Sequence, residues 1–174
     1  MIPEERQHPS FWVEKLALQP HPEGGFFREI YRSADHLGPE GLPERYRGES
    51  RTAATGIYFL LTSESFSAFH RVNSDEAWHF YWGAPLTLYM IDPRGNLTHS
   101  LVGANPENEE VFQAVVPAGT WFAAAVNRPG SFSLVGCTVA PGFEFADFEL
   151  AERQDLIRRF PAHQVLIERF TRLG

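Results

Sequence analysis

The 174-residue sequence predicts a mainly β protein, a sandwich or barrel with helices confined to its two ends. Three observations carry that reading. Between Gly24 and Gly142, short runs rich in aromatic and β-branched residues alternate with clusters of Gly, Pro, Asn and Asp, the pattern of many strands joined by turns. The runs are evenly spaced, which favours closure into a sandwich or barrel. Apolar residues recur at helical spacing only before and after this region.

The first element is a short helix over residues 10–18, where Ser10 is placed to cap the amides and Phe11, Leu16 and Leu18 supply apolar contacts. His21-Pro22-Glu23-Gly24-Gly25 reads as a turn leading into the first strand. It has the glycines of a phosphate loop but neither the Gly-Lys-Ser/Thr ending nor a following helix. Strands are expected at 26–31, 52–61, 65–72, 76–82, 86–91, 97–101, 111–116, 121–126 and 132–139. Residues 33–48 hold three glycines, two prolines and many charges, and predict a long mobile loop. Asp92-Pro93-Arg94-Gly95-Asn96 predicts a hairpin turn, because Pro presets one dihedral and Gly supplies positive φ. Residues 141–149, PGFEFADFE, interleave Glu144, Asp147 and Glu149 with three phenylalanines, as suits a crossing segment that buries rings, exposes charges and lids a barrel mouth. Across 148–172, Leu150, Leu156, Ile157, Phe160, Val165, Leu166 and Phe170 recur at helical spacing with a break at Pro161, and this face should pack on the barrel's outside.

Length predicts one domain spanning 1–174, able to bury roughly 70% of the surface of the unfolded chain. Fifteen basic against twenty-two acidic residues give a net charge of −7, which argues against nucleic acid and anionic membranes as partners. The longest unbroken apolar run, 121–126, is far shorter than the ~20 residues of a membrane helix. The polar, acidic start MIPEERQHPS is unlike a secretory signal, so the expected location is cytoplasmic. A single cysteine, Cys137, precludes an intrachain disulfide framework, and on its apolar strand it reads as a buried, inert thiol. Lys15, the only lysine, leaves little room for Schiff-base chemistry. The sequence has no G-x-S-x-G elbow and no H-E-x-x-H helix.

The spacing from His70-Arg71-Val72 to Glu76 and on to Gly83 resembles the first motif of the cupin superfamily. Pro117-Ala118-Gly119, after an apolar run, resembles the core of the second. PHPEGGFFREIYRS at 20–33, GIYFLLT at 56–62, FHRVNSDEAWHFYWG at 69–83 and VGCTVAPGFEFADFEL at 135–150 together look like the fifth cupin family, a domain of unknown function. The resemblance implies a double-stranded β-helix, the cupin jelly roll, similar in shape to sugar-nucleotide epimerases and seed storage proteins. Metal-dependent cupins hold their ion with two histidines, a carboxylate and a third histidine. Here only His70 and Glu76 fall on those positions, with Val72 and Phe122 replacing the other two, so no metal and no cofactor is expected. His79 does not restore the set, because Glu76, Trp78 and Phe80 share one strand face while Ala77, His79 and Tyr81 share the other.

An imidazole beside a carboxylate in an aromatic barrel suits general acid–base work. His70 is the expected base and Glu76 its partner. His70 should face inward with Ala68 and Val72, next to Glu76. By resemblance to the epimerases, Tyr58 or Tyr81 is the expected acid. Arg28 and Arg71 are candidate contacts for a carboxylate or phosphate, and Trp78, His79 and Trp121 are further candidate ligand contacts, with Trp82 a core or wall residue. The bland alternatives are a histidine closing a core network, surface-paired arginines and core tryptophans. The expected function is small-molecule binding with metal-independent, isomerase- or epimerase-like proton transfer on a carbohydrate or nucleotide-like ligand. The alternatives are a metal-dependent cupin oxygenase or isomerase, and a non-catalytic binding or structural module. Aromatic strand residues in excess of what a small barrel interior holds predict a homodimer, which a light-scattering mass tests.

Overall fold

Burial alternates along residues 113–116 and the first half of 75–83, whereas 66–71, 86–91, 121–126 and most of 132–140 are covered on both faces, as suits two facing sheets with further layers packed outside them. In a computed structural model, Arg6 and residues 8–172 are described. The strands are β1 (Gln19–Pro20), β2 (Phe26–Arg32), β3 (His36–Leu37), β4 (Arg51–Thr52), β5 (Thr55–Thr62), β6 (Phe66–Arg71) and β7 (Asp75–Gly83), followed by β8 (Leu86–Ile91), β9 (Leu97–Val102), β10 (Glu110–Val111), β11 (Gln113–Val116), β12 (Trp121–Val126), β13 (Phe132–Ala140) and β14 (Glu149–Leu150). The helices are α1 (Pro9–Lys15), α2 (Arg153–Arg159) and α3 (Gln164–Arg169).

Two six-stranded sheets face each other, one in the order β1-β2-β5-β13-β7-β11 and the other β10-β9-β8-β12-β6-β14. This is the jelly roll that the sequence predicts. Between the sheets lies a core that includes Phe59, Leu61, Trp78, Leu86, Leu88, Phe122 and Val135. Behind the second sheet, Phe69, Ile91, Trp121 and Ala123 meet Leu156, Phe160, Ile167 and Phe170 of the C-terminal helices, so that face is covered as expected, with Val165 left in solvent. Pro161 does end a helix, opening a short 3₁₀ turn between α2 and α3. The 92–96 turn closes as a hairpin, with the Asp92 carboxyl accepting from the Arg94 and Asn96 amides.

Several local expectations need correction. Ser10 caps nothing, because α1 starts one residue earlier at Pro9, whose fixed φ suits the first helical position. The strands expected at 52–61 and 111–116 are each divided in two. The expected mobile loop is partly built: β3 pairs with β4, and Tyr46 is buried with its hydroxyl 2.8 Å from Ser74 Oγ. On the outer face of the first sheet and beside it, Ile30, Tyr31, Tyr81, Phe112 and Val115 remain exposed. Among the described residues no helix is long and apolar enough to cross a membrane.

Candidate functional site

A cavity of about 100 Å³ opens between the sheets, lined on one side by strand residues including Phe27, Ile57, Phe59 and Cys137, with Val72 just past the end of β6. Its polar groups are His21, Glu23, His70 and Glu76 in the interior and Glu29, Arg32 and Glu144 toward the opening. Phe143, Phe145 and Phe148, from the segment that the sequence marks as a lid, complete the wall.

His70 and Glu23 are brought together by two irregularities of the backbone. In β6, Phe122 of β12 pairs with His70 while Ala124 pairs with Ser67, so one extra residue is inserted at Ala68–Phe69. That β-bulge turns both Ser67 and His70 toward Glu23. The expectation that Ala68 shares the inward face therefore fails: Ser67 takes that place, and the Ala68 carbonyl instead accepts from His70 Nδ1 at 2.7 Å. Glu23 itself sits in the turn ahead of β2, where Gly24 and Gly25 have φ of +116° and +75°. A Cβ on Gly24 would collide with the Phe66 carbonyl oxygen, so only glycine lets this turn lie against β6.

The partners assign the protons. His70 Nδ1 faces a carbonyl and therefore carries hydrogen, leaving Nε2, 3.0 Å from Glu23 Oε2, to share a single proton with that carboxyl. Glu23 Oε1 accepts from the Ser67 hydroxyl at 2.8 Å. His21 Nδ1 accepts from the Glu23 amide at 3.3 Å and lies 3.4 Å from Glu23 Oε2, so its hydrogen resides on Nε2. Burial pulls both imidazoles below their ordinary pKa and pushes Glu23 above its own. Burial thus favours the neutral form of the pair, with the shared proton toward Glu23 and one short transfer from the ion pair.

Glu76 is pushed up to about 7 by burial first, with His70 opposing and Glu23 reinforcing the shift. The Cys137 thiol and Trp78 indole favour its ionised form, yet Trp78 Nε1 reaches hydrogen-bonding geometry with no partner among the described residues. The Glu76 carboxyl lines the cavity.

The donor set does not suit the ion that metal-dependent cupins hold. Val72 lines the cavity, and the Phe122 ring packs on His70 with centroids 4.0 Å apart. Both His70 nitrogens are already engaged, and among the described residues no three His, Cys, Asp or Glu side chains converge as metal ligands.

Most of the other candidate residues lie elsewhere. Tyr58 and Tyr81 contact each other edge to face with Trp82 nearby, in a shallow groove on the outer side of the first sheet against α1. Neither lines the cavity, so neither is placed to act on a ligand there. His79 is on that outer side too, 3.1 Å from Thr138 Oγ1, as strand alternation demands. Arg28 donates to the Leu16 carbonyl. Arg71 pairs with Glu149 and lies over the Trp121 ring, outside the cavity, and Trp121 packs under the C-terminal helices. Trp78 is a core residue that edges against Phe59 and Phe122. Sequence reasoning missed His21, Glu23, Ser67 and Arg32; the available signal was two titratable residues inside a Gly-Gly turn.

Comparison with known proteins agrees with this geometry. Residues 10–151 match the family model described as Cupin superfamily (DUF985). An uncharacterized protein of Saccharomyces cerevisiae is 30% identical over 154 residues, covering 84% of this chain and 76% of that one. A Shewanella oneidensis protein of solved structure is 39% identical, with a TM-score of 0.86 and coverage of 97% of this chain and 99% of that one. A hypothetical protein from Leishmania major gives 37% identity, a TM-score of 0.85 and coverage of 95% and 99%. A variant of Bacillus subtilis oxalate decarboxylase, at 13% identity and a TM-score of 0.52 over 87% of this chain and 36% of that one, shares the fold alone. With the jelly roll, the His70 and Glu76 positions and the family match over residues 10–151 in agreement, the chain belongs to the cupin superfamily, in the family designated DUF985.

Proposed function

We propose that the cavity performs metal-independent proton transfer on a small polar ligand, an isomerase- or epimerase-like reaction. One observation carries the reading: Glu76, pushed up to about 7 by burial, shares an aromatic-walled cavity with a Glu23–His70 pair that holds one shared proton. A carboxyl poised near neutrality is ionised often enough to take a proton and acidic enough to release it. Ionised Glu76 then removes a proton from the ligand, the Glu23–His70 pair gives its single shared proton to another position or face, and the proton now on Glu76 passes back to that pair through His70 Nε2 or solvent, so each group ends as it began. The ligand is isomerised without any external oxidant or reductant. This assigns the acid to Glu23–His70 in place of the tyrosine expected by resemblance.

Size favours the small end of the carbohydrate and nucleotide-like classes. The cavity is smaller than the ~150 Å³ that accommodates benzene, so a whole sugar or nucleotide requires the 143–148 segment to lift. The test is hydrogen exchange from D₂O into ligands first found by thermal shift, followed by NMR. Exchange is expected to survive chelation and to be abolished by Glu76→Gln and by His70→Asn. Exchange that is lost with chelator, or unchanged in Glu76→Gln, overturns the reading.

A further inference from the structure

His21 is the ring around which one wall of the cavity is arranged. Phe27, Phe59 and Phe148 stand nearly perpendicular to it, at 85°, 87° and 80°, and fix its plane from three sides. Phe145 instead lies close to parallel, at 23°, with the two centroids 6.4 Å apart. Two carbon–carbon contacts in series need about 7 Å. A ring therefore enters between them after an outward shift of Phe145 that brings the two planes to that spacing. Phe145 has room to make it, because it is 58% exposed at the cavity opening while His21 is held inside. The cavity volume of about 100 Å³ is below the ~150 Å³ that accommodates benzene, so one ring enters only with that shift and two do not fit.

Charge decides which ring. The lining carries four carboxyls, Glu23, Glu29, Glu76 and Glu144, against one guanidinium, Arg32. Arg32 is already engaged: its Nε and Nη2 donate to Glu29, its Nη1 to Glu144, and Nη2 also to the Phe143 carbonyl. The two histidines are kept neutral by burial. An incoming carboxylate or phosphate meets no free cation on this lining, whereas an N–H donor meets the acceptor oxygens of Glu76 and Glu23.

We propose that the cavity selects a small planar nitrogen base, a single ring stacked between His21 and Phe145 with its N–H edge toward the buried carboxyls Glu23 and Glu76. The proposal rests on the cavity being the ligand site and deepens that reading by naming the ligand class. It excludes small dicarboxylates.

The test is a calorimetric and NMR titration of the full chain with 2-aminopyridine, benzoate, oxalate and toluene as probes. 2-Aminopyridine is expected to bind about tenfold or more tightly than benzoate or toluene, with oxalate not binding. Phe145→Ala, at an exposed position that leaves the fold intact, is expected to weaken 2-aminopyridine by roughly threefold or more. Glu76→Gln is expected to weaken it by about tenfold. Equal or tighter binding of benzoate or oxalate, indifference to Phe145→Ala, or no binding of 2-aminopyridine at millimolar concentration overturns the proposal. If 2-aminopyridine binds as stated while no ligand exchanges hydrogen, proton transfer falls and the ligand class stands. If exchange occurs only on anionic ligands, the class falls and proton transfer stands.

Discussion

The segment that closes the cavity is tied down at both ends by an arginine, and the two ties differ in kind. At its inner end, Arg51 grips Asp147 with two bonds, Nε to Oδ2 at 2.7 Å and Nη2 to Oδ1 at 2.8 Å, with both side chains about 4–5% exposed. Asn73 adds a third bond to the same carboxyl. At the outer end, Arg32 bridges Glu29 and Glu144 at comparable distances, but with 39–44% of these side chains in solvent. Similar geometry, different dielectric. Breaking a buried pair leaves a stranded charge, whereas an exposed pair contributes little. The segment is thus a flap hinged at Asp147 and lightly latched at Glu144, with Phe145 beside the latch.

Removing the inner tie is the most severe way to break this contrast. Asp147→Ala leaves the Arg51 guanidinium buried without its main partner and is expected to cost about 3 kcal/mol or more in urea unfolding. A loss below about 1 kcal/mol would put the two ties on the same footing.

Between the ties, Glu76 supplies a pH-dependent effect of similar size. Its native pKa of about 7 lies above the ordinary 4.5, so the native state binds more protons than the unfolded chain across that window, and stability falls as pH rises through it. His21 and His70, pulled below 6.5, act oppositely, since their contribution is lost as pH falls below that value. The difference between wild type and Glu76→Gln isolates the carboxyl. Relative to its value at pH 4, it is expected to move in favour of the variant by on the order of 3 kcal/mol by pH 8. A flat difference would mean that Glu76 titrates like a solvated acid.

The smallest effect sharpens the contrast from the outer side. Arg32→Ala is expected to change stability by less than about 1 kcal/mol, while amide hydrogen exchange at Phe145 and its neighbours accelerates. Unchanged exchange there would show that the ring contacts, not the latch, hold the flap.

What was legible in the sequence follows from period two. Alternation places Glu76 and Trp78 inside and His79 outside, and turn chemistry places the 92–96 hairpin, because each depends on neighbours in the chain alone. Tyr58 and Tyr81 were misassigned because their role came from proteins of similar shape, while their strand positions point outward. Ser67 and Arg32 were illegible, and Glu23 legible only as part of a turn, for another reason. A bulge appears only when a strand meets its partner's register, and the depth to which a Gly-Gly turn sinks depends on the strand beneath it.

The bulges have a consequence for how such a site tolerates insertion and deletion. In β6 the extra residue puts Ser67 and His70, three apart, on one face; in β2 the register shift between Glu29 and Tyr31 does the same for Glu29 and Arg32. A flat strand would send the members of each pair to opposite faces. Deleting Ala68 would therefore keep a six-stranded sheet on paper while carrying the Ser67 hydroxyl out beneath the C-terminal helices. The chemistry of this barrel is stored partly as chain length, and a one-residue change in spacing would erase it with every functional side chain still present.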